Sequence, residues 1–166
     1  MSGKPLKYPG SLANSKQILQ LSSKYKTAAE LLHITEHKGN PPWRFLAIHS
    51  IELYLNALLL HSGYDSTRIR QLNHNLAGHS ELAIGQGLKL KKRTAEHLIA
   101  ISENREYLIS RYEPDAPDDI SQINRLTATL NEVAEKVTKM LEMSIMKGAI
   151  RRAPNALSVS RRVDLQ

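Results

Sequence analysis

The chain has 166 residues, 41% of them hydrophobic and none of them cysteine, with 23 basic against 16 acidic side chains and a formal charge of +7. That is enough chain for one domain with its own hydrophobic core, and the lack of cysteine excludes thiol catalysis, disulfide scaffolds and cysteine-ligated zinc. The charge sits at the ends: residues 1–10 carry +2, residues 147–166 carry +4, and everything between carries +1, so attraction to nucleic acid would come from the tails and not from the globular part.

Residues 1–12 read as a basic, flexible N-terminus. Lys4, Lys7 and the prolines Pro5 and Pro9 leave no continuous apolar run of the signal-peptide kind. The longest apolar stretch further on is broken by His49, Glu52 and Asn56, too polar for a membrane span. These features predict a soluble, cytoplasmic protein whose single helical domain covers 13–147.

A first helix is expected from about Asn14 to His37, with Ile18, Leu21, Tyr25, Ala28 and Leu32 recurring at steps of three and four. Gly39, Asn40, Pro41 and Pro42 end it and open a second, because proline is tolerated in a first turn but not in a helix interior. The second helix runs to about His61, with Gly63 placed as its C-terminal cap. Projected at 100° per residue, Ile48, Ile51, Leu55 and Leu58 cluster while Leu46, Leu53, Tyr54, Ala57 and Leu60 cover most other directions, which predicts a central helix. His49, Glu52 and Asn56 fall in a band about 60° wide. That band is either a solvent edge or a polar cleft between helices.

A loop containing Arg68 and Arg70 leads to a third helix, His74 to Gly87, with His74 expected to cap or orient its start and Asn75 beside it. The fourth is expected from Lys91 to Tyr112, with Leu98, Ile101, Leu108 and Tyr112 on one stripe and Arg105 among them, snorkelling or paired with Glu52. Asp118 and Asp119 suit the positive end of a fifth. Its positions Ile123, Leu126, Leu130, Val133, Val137 and Met140 keep helical spacing, and a helix reaching Lys147 would be about 45 Å long at 1.5 Å per residue, so that its far end packs on a second chain or frays. Residues 148–166 read as a basic, disordered tail; Lys147, Arg151, Arg152, Arg161 and Arg162 are its phosphate-attracting candidates. No strand pattern competes, and short connections favour antiparallel neighbours: the fold class is all-α, an up-and-down bundle of four to five helices.

Ser50-Ile51-Glu52-Leu53-Tyr54-Leu55-Asn56-Ala57-Leu58-Leu59-Leu60 followed by Gly63 resembles the signature helix of HEPN domains, usually a Glu, then a Lys, then Ala-Leu-Leu and a glycine. Leu72-Asn73-His74-Asn75-Leu76 is similar to that family's Gly-His-Asp-Leu opening of the next helix, and Tyr107 with Arg111-Tyr112-Glu113-Pro114 resembles its Tyr, then Arg-Tyr-Pro ending. Asn56 stands where many members have lysine and Asn75 where many have aspartate. The resemblance implies a stand-alone HEPN-like bundle, often a homodimer, that acts in defence or toxin-antitoxin systems as a ribonuclease or as a module binding nucleotide, RNA or a protein partner.

The ribonuclease members carry an arginine and a histidine four to six residues apart, usually with a polar residue after the arginine. Histidine can move a ribose 2′-hydroxyl proton near neutral pH, and arginine can neutralise phosphorane charge, without a metal. Arg44 to His49 and Arg68 to His74 have the spacing, but Phe45 and Ile69 follow the arginines. Arg44 and His49 lie about 140° apart on one helix, so they would act together only across a dimer. His33 and His37, with Glu36 between, have chelating spacing but no third ligand, and no Walker or dinucleotide glycine loop is present, so neither metal nor cofactor is expected. The leading expectation is a non-catalytic binding module using His49, Glu52, Asn56, His74, Asn75, Arg111 and Tyr112. The alternatives are a metal-independent ribonuclease toxin using Arg44 and His49 across a dimer, and a purely structural dimerisation module.

Overall fold

The computed structural model describes residues 8–34, 40–115 and 120–152. The described residues hold seven helices and no strand: α1 (Ser15–Ile34), α2 (Pro41–His61), α3 (Ser66–Gln71), α4 (Leu76–Gly85), α5 (Lys92–Glu103), α6 (Glu106–Tyr112) and α7 (Ile123–Arg152). None is long and apolar enough to cross a membrane.

The starts of the first four helices are written in short polar side chains. Asn14 Oδ1 accepts from the Gln17 N–H while Gln17 Oε1 accepts from the Asn14 N–H, a reciprocal box that opens α1. Asn40 caps α2 through the Trp43 N–H, Asp65 caps α3 through Thr67 and Arg68, and Asn75 caps α4 through Gly78. Four helices end on a residue in the left-handed region: Gly63, Asn73, Gly87 and Arg105. Glycine and asparagine adopt that conformation easily; arginine does not.

Arg105 accounts for the largest departure from the expected elements. The stretch anticipated as one helix from Lys91 to Tyr112 breaks at Arg105, with φ 53°. The break resets the helical phase. Continuing the stripe of Leu98 and Ile101 would have buried Leu108 and Tyr112, yet those are 44% and 69% exposed, and Glu106, Tyr107 and Ser110 turn inward instead. Arg105 itself is exposed, not paired with Glu52. The expected Arg68–Arg70 loop is helical, so four to five helices become seven. The fifth starts at Ile123, and Asp118 and Asp119 lie outside the described residues.

The all-helical class and the central place of α2 stand. It packs against α1, α3, α4, α6 and α7, and Ile48, Ile51, Leu55, Leu58 and Leu59 are all within 1% of complete burial. Close approach of α1 is allowed by small residues: Ser22 and Ala29 are its buried positions, and Ser50 Oγ of α2 donates to the Ser22 carbonyl at 2.9 Å. Leu21, expected on the inward stripe, stands 39% exposed at the edge. From α7, Leu126, Leu130, Val133, Val137 and Leu141 close the core, and beyond them Met143, Ile145 and Met146 are exposed.

Candidate functional site

Phe45, His49, Glu52 and Asn56 follow one another at steps of four, three and four, so they form a single stripe along α2. The stripe does not face open solvent. Glu52, His49 and Asn56 line a cleft of about 510 Å³ walled by α1, α3, the α3–α4 turn and the turn Tyr8–Ala13. Of the two readings of the polar band, the cleft is the one found.

The left-handed Asn73 turns the chain so that His74 comes down on α2, where His74 Nδ1 meets Glu52 Oε2 at 3.0 Å. The Glu52 side chain is only 9% exposed, and burial pushes its carboxyl up from the ordinary range, a rise that the hydrogen bond and charge of His74 oppose. The other face of the His74 ring stacks on Tyr107 of α6, centroids 3.7 Å apart and planes 18° from parallel. One turn on, Arg111 Nη1 donates to Tyr107 Oη at 3.1 Å. The Arg111 guanidinium also lies within 5.7 Å of the Phe45, Tyr107 and Tyr112 ring centres. Phe45 in turn stacks on His49 at 5.6 Å, and Tyr25 of α1 meets the same imidazole edge-on at 4.6 Å. Burial lowers the His49 pKa from its ordinary value, and the nearby His74 and Arg111 lower it further.

The result is a relay of touching groups, Glu52 to His74 to Tyr107 to Arg111, with Phe45 and His49 packed alongside. Arg111 is exposed, and among the described residues no carboxylate pairs with it. Beside it runs an open groove of about 720 Å³ walled by Pro41, Pro42, Phe45, Tyr112 and Pro114, with Glu113 its acidic member. A cation braced on aromatic rings at the lip of a groove is arranged to receive an anion next to a flat group.

The structure brings His49, Glu52, Asn56, His74, Arg111 and Tyr112 to this face and sets other candidates apart. Asn75 points away, its carbonyl occupied in capping α4. Arg44 is buried on the opposite side of α2, where Nη1 donates to the Ser121 carbonyl at 2.6 Å. It belongs to a latch that fixes the entry to α7: Ser121 Oγ donates to Glu106 at 2.6 Å, and His97 bridges Ser121 and Thr129 at 2.7 Å on each ring nitrogen. For the expected Arg44–His49 pair across a dimer, Arg44 is therefore held within its own chain, 8% exposed and bonded to Ser121. Lys147 is exposed near the end of α7, Arg151 and Arg152 are its last residues, and Arg161 and Arg162 lie outside the described residues. His33 faces Trp43, and His37 lies outside the described residues. Among the described residues no three or more His, Asp or Glu side chains are placed to hold a metal ion.

Tyr25, Phe45 and Tyr107 escaped the sequence reading as site residues. Phe45 was recoverable, since it extends the His49–Glu52–Asn56 spacing by one step. Tyr107 stood in the Tyr, then Arg-Tyr-Pro resemblance without a role, and its inward direction depends on the break at Arg105.

The fold and site define an all-helical domain with an aromatic-braced cationic face. Compared with protein-family models, curated proteins and solved structures, the chain finds no match.

Proposed function

We propose that this chain is a HEPN-like helical module that binds RNA or a nucleotide through Arg111 and the aromatic groups around it. The observation that carries the reading is the Arg111 guanidinium, exposed, without a carboxylate partner among the described residues, and hydrogen-bonded to Tyr107 at the mouth of the groove. Arginine offers a phosphate a planar fork of donors, and exposed Tyr112 with Phe45 offers bases a stacking surface. Lys147 and the arginines after it add sequence-independent attraction. Met143, Ile145 and Met146, exposed on α7 past the bundle, support a homodimer in which those turns are covered.

Anisotropy of a short fluorescein-labelled single-stranded RNA tests this. Binding should saturate, weaken as salt rises, fall about tenfold or more in Arg111→Ala and fall less in Tyr112→Phe than in Tyr112→Ala. Arg111→Ala binding as well as the wild type would overturn the assignment. If neither RNA nor a labelled mononucleotide binds, the module's partner is a protein.

A second reading follows from the same geometry. His49, its pKa lowered by burial, and His74, with Nδ1 on a carboxylate, stand near Arg111. Together they are the groups a metal-independent ribonuclease needs: a base to take the 2′-hydroxyl proton, an acid to protonate the departing 5′-oxygen and a cation for the phosphorane. Cleavage of the RNA in the presence of a chelator, lost in both His49→Ala and His74→Ala, would establish it; intact RNA at high protein concentration would leave binding alone.

A further inference from the structure

The cleft lined by His49, Glu52 and Asn56 contains a cation that the RNA reading does not use. Arg70, in the last turn of α3, donates from Nη2 to Thr67 Oγ1 at 3.1 Å and is paired with no carboxylate among the described residues. Its neighbour in the cleft wall, Glu52, is already engaged by His74. What Arg70 does touch is the face of Tyr8, whose ring centre lies 4.3 Å from its Cζ.

Tyr8 is lightly held. It belongs to a turn closed by the Ser11 N–H to the Tyr8 carbonyl and the Ala13 N–H to the Gly10 carbonyl, both 3.0 Å, and its tie to α3 is a long Ser66 Oγ to Ser11 carbonyl bond of 3.4 Å. Tyr8 is 61% exposed, and Gly10 takes φ +78° with open space around it. A cation–π contact at an exposed site amounts to only about two- to fivefold in an equilibrium. Below the turn, Leu21, Leu53, Leu60 and Ile69 give the cleft an apolar wall. His49 Nδ1 and Asn56 Oδ1, on residues of the same wall, are buried without a hydrogen-bond partner among the described residues. A cleft of about 510 Å³ with an apolar wall and a guanidinium at its edge has room for a ligand that combines an apolar body with an anion.

We infer that the cleft between α1, α2 and α3 is a binding site for a small organic anion with a flat apolar body, capped by the N-terminal turn until the anion takes Arg70 from Tyr8. The phenol ring of Tyr8 already occupies the position of such a body beside the guanidinium. The ligand substitutes a carboxylate, sulfonate or phosphate for the ring face and lays its apolar part against Leu53 and Ile69. Arg111 is not in the wall of this cleft, so the inference stands apart from the RNA reading.

The probe is anilinonaphthalene sulfonate, a flat apolar ring system with one sulfonate, titrated by fluorescence into the folded full chain. Tyr8→Ala should bind it several-fold more tightly than the wild type, Tyr8→Phe should match the wild type, and Arg70→Gln should lose most of the binding with or without Tyr8→Ala. Equal affinity in Tyr8→Ala and wild type, or binding by Arg70→Gln as tight as by Tyr8→Ala, overturns the inference. If Arg70→Gln does not fold, amide hydrogen exchange on the wild type decides: the Ser11 and Ala13 amides should lose protection when the probe binds, and unchanged protection at saturation overturns the cap.

Discussion

His97 shows how one buried side chain ties stability to pH. Burial and the nearby Arg125 charge bring its pKa down to about 4 from 6.5. Below pH 6.5 the unfolded chain takes up a proton that the folded imidazole, wedged between Ser121 and Thr129, refuses. Folding stability should therefore be intact above pH 6.5 and decline as pH falls from 6.5 to 4. Glu132 adds a second phase: burial would raise its carboxyl, but hydrogen bonds from Lys136, Thr94 and the Lys91 N–H prevail and hold it down to about 2. Its contribution is present above pH 4.5 and is lost as pH falls towards 2. Thermal melts followed by circular dichroism across this range should show both phases in the wild type and a smaller upper phase in His97→Gln, since His49 and His79 are also lowered by burial and keep their share of it. A melting temperature flat between pH 7 and pH 4.5 would refute the assignment to His97.

Among the elements, α4 depends most visibly on one cap. Asn75 accepts from the Gly78 N–H at 3.1 Å, and α4 is only ten residues long. Asn75→Ala should cost about 1 kcal/mol in urea denaturation and Asn75→Asp much less, since a carboxylate accepts the same bond. The helices with strong local signals were legible in sequence for this reason: the Asn40-Pro41-Pro42 start and Gly63 end of α2 are side-chain and backbone chemistry confined to a few neighbouring residues. Where formation depends on distant contacts, the sequence misleads. Leu98, Ile101, Leu108 and Tyr112 keep perfect helical spacing across a point where the chain turns, and neither glycine nor proline marks the break at Arg105. The six residues of α3 are too few to show a period at all. The site divides in the same way. Its α2 stripe could be read from spacing, whereas the Tyr107 stack on His74 depends on where α6 is carried. Arg105→Gly should relieve the left-handed strain and stabilise the chain by up to about 1 kcal/mol, as read from its denaturation midpoint.

At the scale of the molecule, α2 is both the floor of the cleft and the centre of the core, so the candidate site and the stability of the fold share one scaffold. Leu58 is fully buried there, and Leu58→Ala should cost about 2–5 kcal/mol from lost transfer free energy and the cavity left behind. That loss should appear in chemical denaturation as a lower midpoint with an unchanged slope. The turn at Arg105 has a consequence on this scale too. Two phases of the same heptapeptide compete for the interior, one burying Tyr107 and Ser110, the other burying Leu108 and Tyr112, and a single backbone conformation decides between them. Asn104→Ala/Arg105→Ala would give α5 and α6 the option of fusing into one rod. In the fused form Leu108 would trade places with Tyr107, and His74 would lose the ring it stacks on. Both forms have an apolar stripe to bury, but only the broken helix aims Arg111 at the groove: an irregular joint, rather than any regular helix, is what commits this sequence to standing a guanidinium among aromatic rings.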